Sequence, residues 1–240
     1  KELKIITGDG KKIYGILRGS LRRPLVVFVH GFTGDMNEHQ FFNGARYADA
    51  KGFSSFRFAL YSWKKGARKL QQCTLQTHAD DLDRVIQFFR KKGVKKIFVV
   101  GHSYGGKTVL ASRKKDYDGV ALWDPSHNLY PLFTEARYIK SLNMYVNQIK
   151  EGPYGIVIGR KMVKQEHVFE WRKKVRSVPS PIIIILAGDG VLVRGGKAYY
   201  ATANNPKKIV IIKGASHCFD EEGTEEQLFK ETTSWFQHCK

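Results

Sequence analysis

The chain has 240 residues, and its 41 Lys plus Arg against 22 Asp plus Glu leave a net charge of +19 with neutral histidines. With 42% hydrophobic and 26% charged residues the composition is that of a folded globular protein, which excludes disordered and fibrous classes, and the length suits one domain with room for an insertion. No apolar run approaches the roughly 20 residues that cross a bilayer, so no membrane span is expected.

Short apolar runs alternate with helical patterns, which predicts an α/β protein with a mainly parallel sheet. Eight strands are expected: LKIIT (3–7), KIYGILR (12–18), LVVFVH (25–30), SSFRFAL (54–60), KIFVVG (96–101), GVALWD (119–124), IIIILA (182–187) and KIVIIK (208–213). From the third onward these are almost continuously apolar, as expected when helices cover both faces; the first two read as an antiparallel edge. Leu75, Ala79, Leu82, Val85, Ile86 and Phe89 form the apolar stripe of a helix that Gly93 stops. Residues 127–180 are too long for a simple βα connection and are read as an inserted lid subdomain between core segments 1–126 and 181–240. Within it a helix is expected through Tyr138, Leu142, Tyr145 and Ile149, then a strand YGIVIG (154–159) and a charged helix around 165–176. The last helix is expected to open with a capping box at Thr224 and Gln227, to carry acidic residues at its N-terminal end, and to turn Leu228, Trp235 and Phe236 inward.

The strongest chemical signal is GHSYG at 101–105, which follows the strand KIFVV directly and precedes a helical stretch. A serine at a sharp strand-to-helix turn is presented in a strained backbone conformation, with Gly101 and Gly105 required because side chains there would collide. A serine hydroxyl needs a base, and among eight histidines His217, in KGASHCF after the last strand, is the one a loop at the carboxyl edge of the sheet brings to Ser103. His102 lies within the turn and points elsewhere; His39, His78 and His238 fall on expected helices as solvated or core residues, and His127 and His167 are in the insertion. A carboxylate should hold the histidine. Asp189, in LAGDGVLV after the seventh strand, is preferred for that place, and Asp124, in ALWDPS at the end of the sixth, satisfies the same order. The backbone N–H groups of Phe32, in HGFTG at 30–34, and of Tyr104 are the expected oxyanion donors, with His30 and Gly31 shaping the loop.

HGFTG, GHSYGG, an Asp after the seventh strand and GASH after the eighth together make the chain resemble the α/β-hydrolases. Within that superfamily it is most similar to bacterial and archaeal esterases of the feruloyl (cinnamoyl) type, whose oxyanion loop reads much like HGFTGDMNE and whose small lid lies between the sixth and seventh strands. The resemblance spans essentially the whole chain, is specific for the fold, and says little of substrate. It implies Ser103 as nucleophile, His217 as base, Phe32 and Tyr104 as oxyanion donors, and no metal or organic cofactor. Two departures stand out. The family acid usually follows a glycine by three residues, a place Val191 occupies counted from Gly188, so Asp124 stays open beside Asp189. After the fourth strand the chain reads FALYSWKKG, which makes Tyr61 and Trp63 candidate walls of the pocket.

The expectation is therefore a serine hydrolase cleaving carboxylic esters, short acyl or aryl, through an acyl-enzyme. A thioesterase or lactonase would use the same residues, and a hydrolase-fold scaffold binding an anionic partner is the rival from another class. The insertion, with Tyr130, Phe133, Tyr138, Met144 and Tyr145, is expected to roof the pocket. Three cysteines without CxxC spacing, Cys73, Cys218 and Cys239, point to reduced thiols rather than a zinc site or disulfide scaffold. A cytoplasmic protein is expected, with secretion after removal of a leader left open. The positive charge is uneven, since residues 220–240 carry 2 basic against 6 acidic side chains. The basic pairs Lys64-Lys65, Lys91-Lys92, Lys95-Lys96, Lys114-Lys115 and Lys173-Lys174 match no nucleic-acid module. They read as a solvated surface able to attract anionic substrates or polymers, and not as a specific nucleic-acid site.

Overall fold

The computed structural model describes residues 1–127, 135–148 and 155–239. All eight expected strands join one sheet. The chain begins with β1 (Glu2–Ile6), β2 (Lys12–Arg18) and β3 (Leu25–Val29), continues through α1 (His39–Ala50) and β4 (Ser54–Phe58), and reaches α2 (Leu75–Lys91) and β5 (Ile97–His102). Next come α3 (Tyr104–Ala111) and β6 (Gly119–Trp123). A second, three-stranded sheet follows, β7 (Arg137–Ile139), β8 (Met144–Gln148) and β9 (Gly155–Gly159), then α4 (Arg160–His167) and α5 (Trp171–Arg176). The main sheet resumes with β10 (Ile182–Ala187), α6 (Val193–Thr202), β11 (Lys207–Ile212) and α7 (Thr224–His238).

The main sheet runs β1-β2-β4-β3-β5-β6-β10-β11. β1 and β2 are antiparallel to their neighbours and the remaining pairs are parallel. The period-2 alternation of strands divides the apolar runs between two layers. Val27, Val99, Leu122 and Ile184 face α2 and α3, whose Leu82, Val85, Phe89 and Val109 complete that core, together with Tyr199 of α6. Phe28, Val100, Trp123 and Ile185 face α1 and α7, which contribute Phe41, Ala45, Leu228, Phe229 and Phe236. Helices on both faces are the reason these strands lack a polar side.

Three local expectations are corrected. Tyr138 and Tyr145 lie not on a helix but opposite each other on the antiparallel strands β7 and β8, joined by a turn in which Asn143 takes φ +52°. Tyrosines in ring contact across the ladder and an Asn able to adopt a left-handed turn favour the hairpin over a helix lacking caps; Ile149 lies outside the described residues. The charged stretch forms two helices, α4 and α5, instead of one. The last helix starts without a side-chain cap: Gly223, at φ +78°, occupies the cap position, and the Thr224 hydroxyl donates to Glu221 O (2.7 Å) instead of closing a box with Gln227. Leu228 and Phe236 are buried as expected, and Trp235 is half-buried against the same cluster.

Among the described residues no helix is long and apolar enough to cross a membrane. Cys73, Cys218 and Cys239 are all free thiols, Cys73 buried and the other two half-buried.

Candidate active site

The carboxyl ends of parallel strands carry the loops where ligands bind in open α/β sheets. Here β3, β5, β6 and β11 each deliver one part of a cleft lined by Gly31, Phe32, Glu38, Ser103, Ser126 and His217, among others.

Ser103 has φ +53° and ψ −119°, a strained conformation for a residue with a side chain. The glycines around it show why the turn admits nothing larger. A Cβ on Gly105 would lie 2.2 Å from Val29 O, and one on Gly101 would lie 2.6 Å from Gly105 O. The turn is tied down on both sides, since Ser103 N–H donates to Trp123 O (2.9 Å) and Ser126 N–H donates to Ser103 O (3.0 Å). The Ser103 hydroxyl lies 3.3 Å from the Ser126 hydroxyl.

The carboxylate beside His217 is Asp124. Its Oδ2 lies 2.6 Å from His217 Nδ1, and its Oδ1 accepts from Ala187 N–H (3.3 Å). Asp189, preferred from the sequence, is exposed, and its backbone N–H donates to Ala215 O (3.0 Å). The reason is strand order. β6 lies between β5 and β10, and its Trp123 pairs with His102, so the next residues, Asp124 and Ser103, leave the sheet at the same level on adjacent strands. The short turn after β10 instead tucks Gly190 over Asp124, where a Cβ would come within 3.2 Å of Oδ2, and turns Asp189 outward. Asp124 is fully buried while the His217 side chain is 36% exposed, so the pair has a dry end at the carboxylate and an open end at the cleft. A carboxylate on Nδ1 leaves Nε2 as the nitrogen available to a serine proton.

The loop after β3 is held by a neutral histidine. His30 Nε2 accepts from Leu60 N–H (3.0 Å), which leaves Nδ1–H to donate to Gly31 O (2.8 Å). Burial pushes the His30 pKa down to about 4, so the ring stays uncharged. Tyr61 belongs to this support: its hydroxyl donates to Gly34 O (3.1 Å) and its ring packs edge-on against His30. Trp63, the other expected wall, is 84% exposed. The rings of Phe32 and Tyr104 pack at a tilt against each other with centroids 5.5 Å apart, so the two residues expected to supply oxyanion donors are in direct contact.

His102 lies beside His217, its ring centroid 4.7 Å away and its Nε2 2.9 Å from His217 O, so it steadies the loop that carries the histidine. His39 sits between Asp220 and Glu225, and His78 is buried in the core. Of the expected roof residues, Tyr145 packs against the cluster that includes Tyr104, Tyr138 is exposed, and Tyr130 and Phe133 lie outside the described residues.

Three cleft residues carry no sequence signal. Ser126 follows Asp124 and Pro125 in an ordinary turn. Glu38 sits at the N-cap of α1 without capping it; its carboxylate folds back over Gly34, and burial raises its pKa. Cys218, next to His217, is held toward its thiol form by burial and by the nearby carboxylates of Asp220, Glu38 and Asp124.

Comparison with known proteins agrees with this architecture. No curated protein matches the sequence. Est1E from Butyrivibrio proteoclasticus, solved with bound ferulic acid, superposes with a TM-score of 0.83 at 19% identity over 99% of this chain and 98% of its own. The alpha/beta hydrolase GrgF from Penicillium sp. sh18 gives 0.82 at 16% identity over 100% and 98%. The Pyrococcus furiosus esterase Pf2001 gives 0.75 at 17% over 99% and 91%. At these identities the likeness is one of fold. A model of the alpha/beta hydrolase family matches residues 26–229, a stretch that takes in the loop after β3, Ser103, Asp124 and His217, and by that match the chain belongs to the alpha/beta hydrolase family.

Proposed function

We propose that the protein is a serine hydrolase that cleaves carboxylic esters through an acyl-enzyme. Ser103 Oγ attacks the ester carbonyl while His217 Nε2 takes its proton. The N–H groups of Phe32 and Tyr104 receive the developing oxyanion, worth roughly 3–4 kcal/mol per donor in comparable sites. His217 then gives the proton to the leaving alcohol, and a water deprotonated by His217 releases the acid and restores Ser103. Asp124 holds the ring in the required tautomer and stabilises the imidazolium.

The observation that carries this reading is the buried Asp124 on His217 Nδ1 in the same cleft as a serine held at positive φ. Small esters with short acyl or aryl groups are the proposed substrates. Aryl acids of the feruloyl kind are included because a structural neighbour was solved with ferulic acid bound and because the half-buried Phe32 ring lines the cleft. The insertion, residues 127–180, is proposed as the roof over the acyl or alcohol group.

The test is hydrolysis of p-nitrophenyl butyrate by wild type and by Ser103→Ala. The variant should lose about 10³-fold or more of kcat and keep its unfolding midpoint, because it removes one oxygen from a partly open site. Equal rates in the two proteins would overturn the proposal.

A further inference from the structure

Lys107 is 1% exposed, and it lies on α3, one turn beyond the serine. Its ammonium is paired with the carboxylate of Glu166, which comes from α4 in the insertion and is itself buried. The other oxygen of that carboxylate, Oε1, accepts from the Tyr104 hydroxyl at 2.6 Å. Lys107 also lies over the Phe169 ring, 4.9 Å from its centroid. The cluster is thus a closed set of one cation, one anion and one phenol, sealed by Met162, Val163 and Ile158 of the insertion against Leu75, Ala79 and Ala111. Burial and the Glu166 charge raise the Tyr104 phenol well above its ordinary pKa, so it remains a donor.

A buried ion pair is a poor way to gain stability, since an apolar pair of the same shape does as well or better. Its value must lie in what it fixes. Tyr104 is the residue directly after Ser103, and a strained turn persists only where its surroundings over-determine it. Ser103 is secured through its N–H by Trp123 O and through its C=O by Ser126 N–H. On the downstream side, the Tyr104 side chain is held through its hydroxyl by Glu166. Three elements therefore meet at one carboxylate: the nucleophile turn, the helix that follows it, and the insertion.

Building on the ester hydrolase reading, we infer that Glu166, supplied by the insertion and neutralised by Lys107, is a positioning residue that holds Tyr104 so that its backbone N–H points at the oxyanion. The insertion would then be part of the catalytic frame as well as a cover over it. Loss of the anchor misdirects a donor that acts only in the transition state, so it lowers kcat and leaves KM nearly unchanged.

Tyr104→Phe removes only the anchored oxygen, and the pair Lys107→Met with Glu166→Leu replaces the charges by apolar groups of similar volume. Both are measured well below their unfolding midpoints, by p-nitrophenyl butyrate turnover and by the rate at which a fluorophosphonate labels Ser103. Each variant should lose roughly 10- to 100-fold in kcat and in labelling rate, with KM within about twofold. Apolar packing offsets the lost ion pair, and with only the Glu166 acceptor of the Tyr104 hydroxyl lost the double variant should unfold within a few degrees of the wild type. That separation of activity from stability is what a merely structural tie does not produce. Wild-type kcat in a folded double variant overturns the inference; if that variant does not fold, Tyr104→Phe decides alone, and its wild-type kcat overturns it. Failure of the ester hydrolase reading is seen separately, as wild type and Ser103→Ala that are equally inactive and equally unlabelled.

Discussion

At the scale of single residues the site turns on which carboxylate meets His217. Asp124 and Asp189 both lie after a strand in the right chain order, and only one is dry. A buried carboxylate 2.6 Å from Nδ1 orients the ring, whereas an exposed one on the neighbouring turn does not. Asp124→Asn should therefore lower kcat on p-nitrophenyl butyrate by about 10⁴-fold, and Asp189→Asn should leave it within about threefold. The reverse order would return the role to Asp189. Ser126 and Glu38 show what residue types alone fail to reveal, because each is a common loop residue until the fold places it in the cleft.

At the scale of elements, the turn between β5 and α3 is the part with least freedom. The Cβ of an alanine at position 105 would meet Val29 O and His30 O, backbone atoms of the neighbouring strand and the loop after it that cannot swing aside. Gly105→Ala should destabilise by about 3 kcal/mol in urea unfolding and lower kcat as the loop is pushed off. An unchanged midpoint and rate would mean that the turn tolerates a side chain. The insertion carries a second expectation. Tyr145 of β8 packs against the cluster that includes Tyr104, as Phe32 of the cleft does, so if the second sheet roofs the cleft, Tyr145→Ala should change the ratio of kcat/KM for aryl and short alkyl esters by roughly tenfold, one large apolar contact being worth a kcal/mol or more. A constant ratio across an ester panel would remove the roof.

At the scale of the whole molecule, charge and burial act in different places. The basic pairs sit at exposed or half-buried positions, as the sequence reading anticipated, while the interior holds histidines kept neutral. Burial pushes His30 down to about 4 and His78 and His102 to about 3, against an ordinary value of 6.5. Above pH 6.5 these rings are neutral whether the chain is folded or not, and their contribution is complete. As the pH falls, the unfolded chain takes up protons that the folded one excludes, so stability falls with acidification. Each group adds about 1.4 kcal/mol per pH unit, and three together give a slope of up to about 4 kcal/mol per unit near pH 5. Asp9, held below the usual carboxylate range by the Arg68 guanidinium, adds the same sign below about pH 4. Urea unfolding between pH 8 and pH 5 should show this decline. His78→Leu should reduce the slope by about a third and raise stability at neutral pH, since both ring nitrogens of His78 are buried without a partner. A flat profile would contradict the account.

Amino-acid order by itself determined the main sheet, because strands covered on both faces must be apolar throughout and their spacing leaves room only for helices. It also determined the serine turn, since glycines at 101, 105 and 106 around a serine after a strand serve little other purpose, and it singled out His217 by its place after the last strand. The hairpin of Tyr138 and Tyr145 was illegible: its residues fit a helical period as well as an alternating one, and pairing with β9 decided between them. The carboxylate was illegible for a deeper reason. Chain order ranks Asp124 and Asp189 equally, and what separates them is that β6 is the direct neighbour of β5, a fact of strand order across the sheet. The meeting of Tyr104, Lys107 and Glu166 is of the same kind. Their separation along the chain carries no period or motif, and only the packing of α4 onto α3 gives a buried lysine its partner.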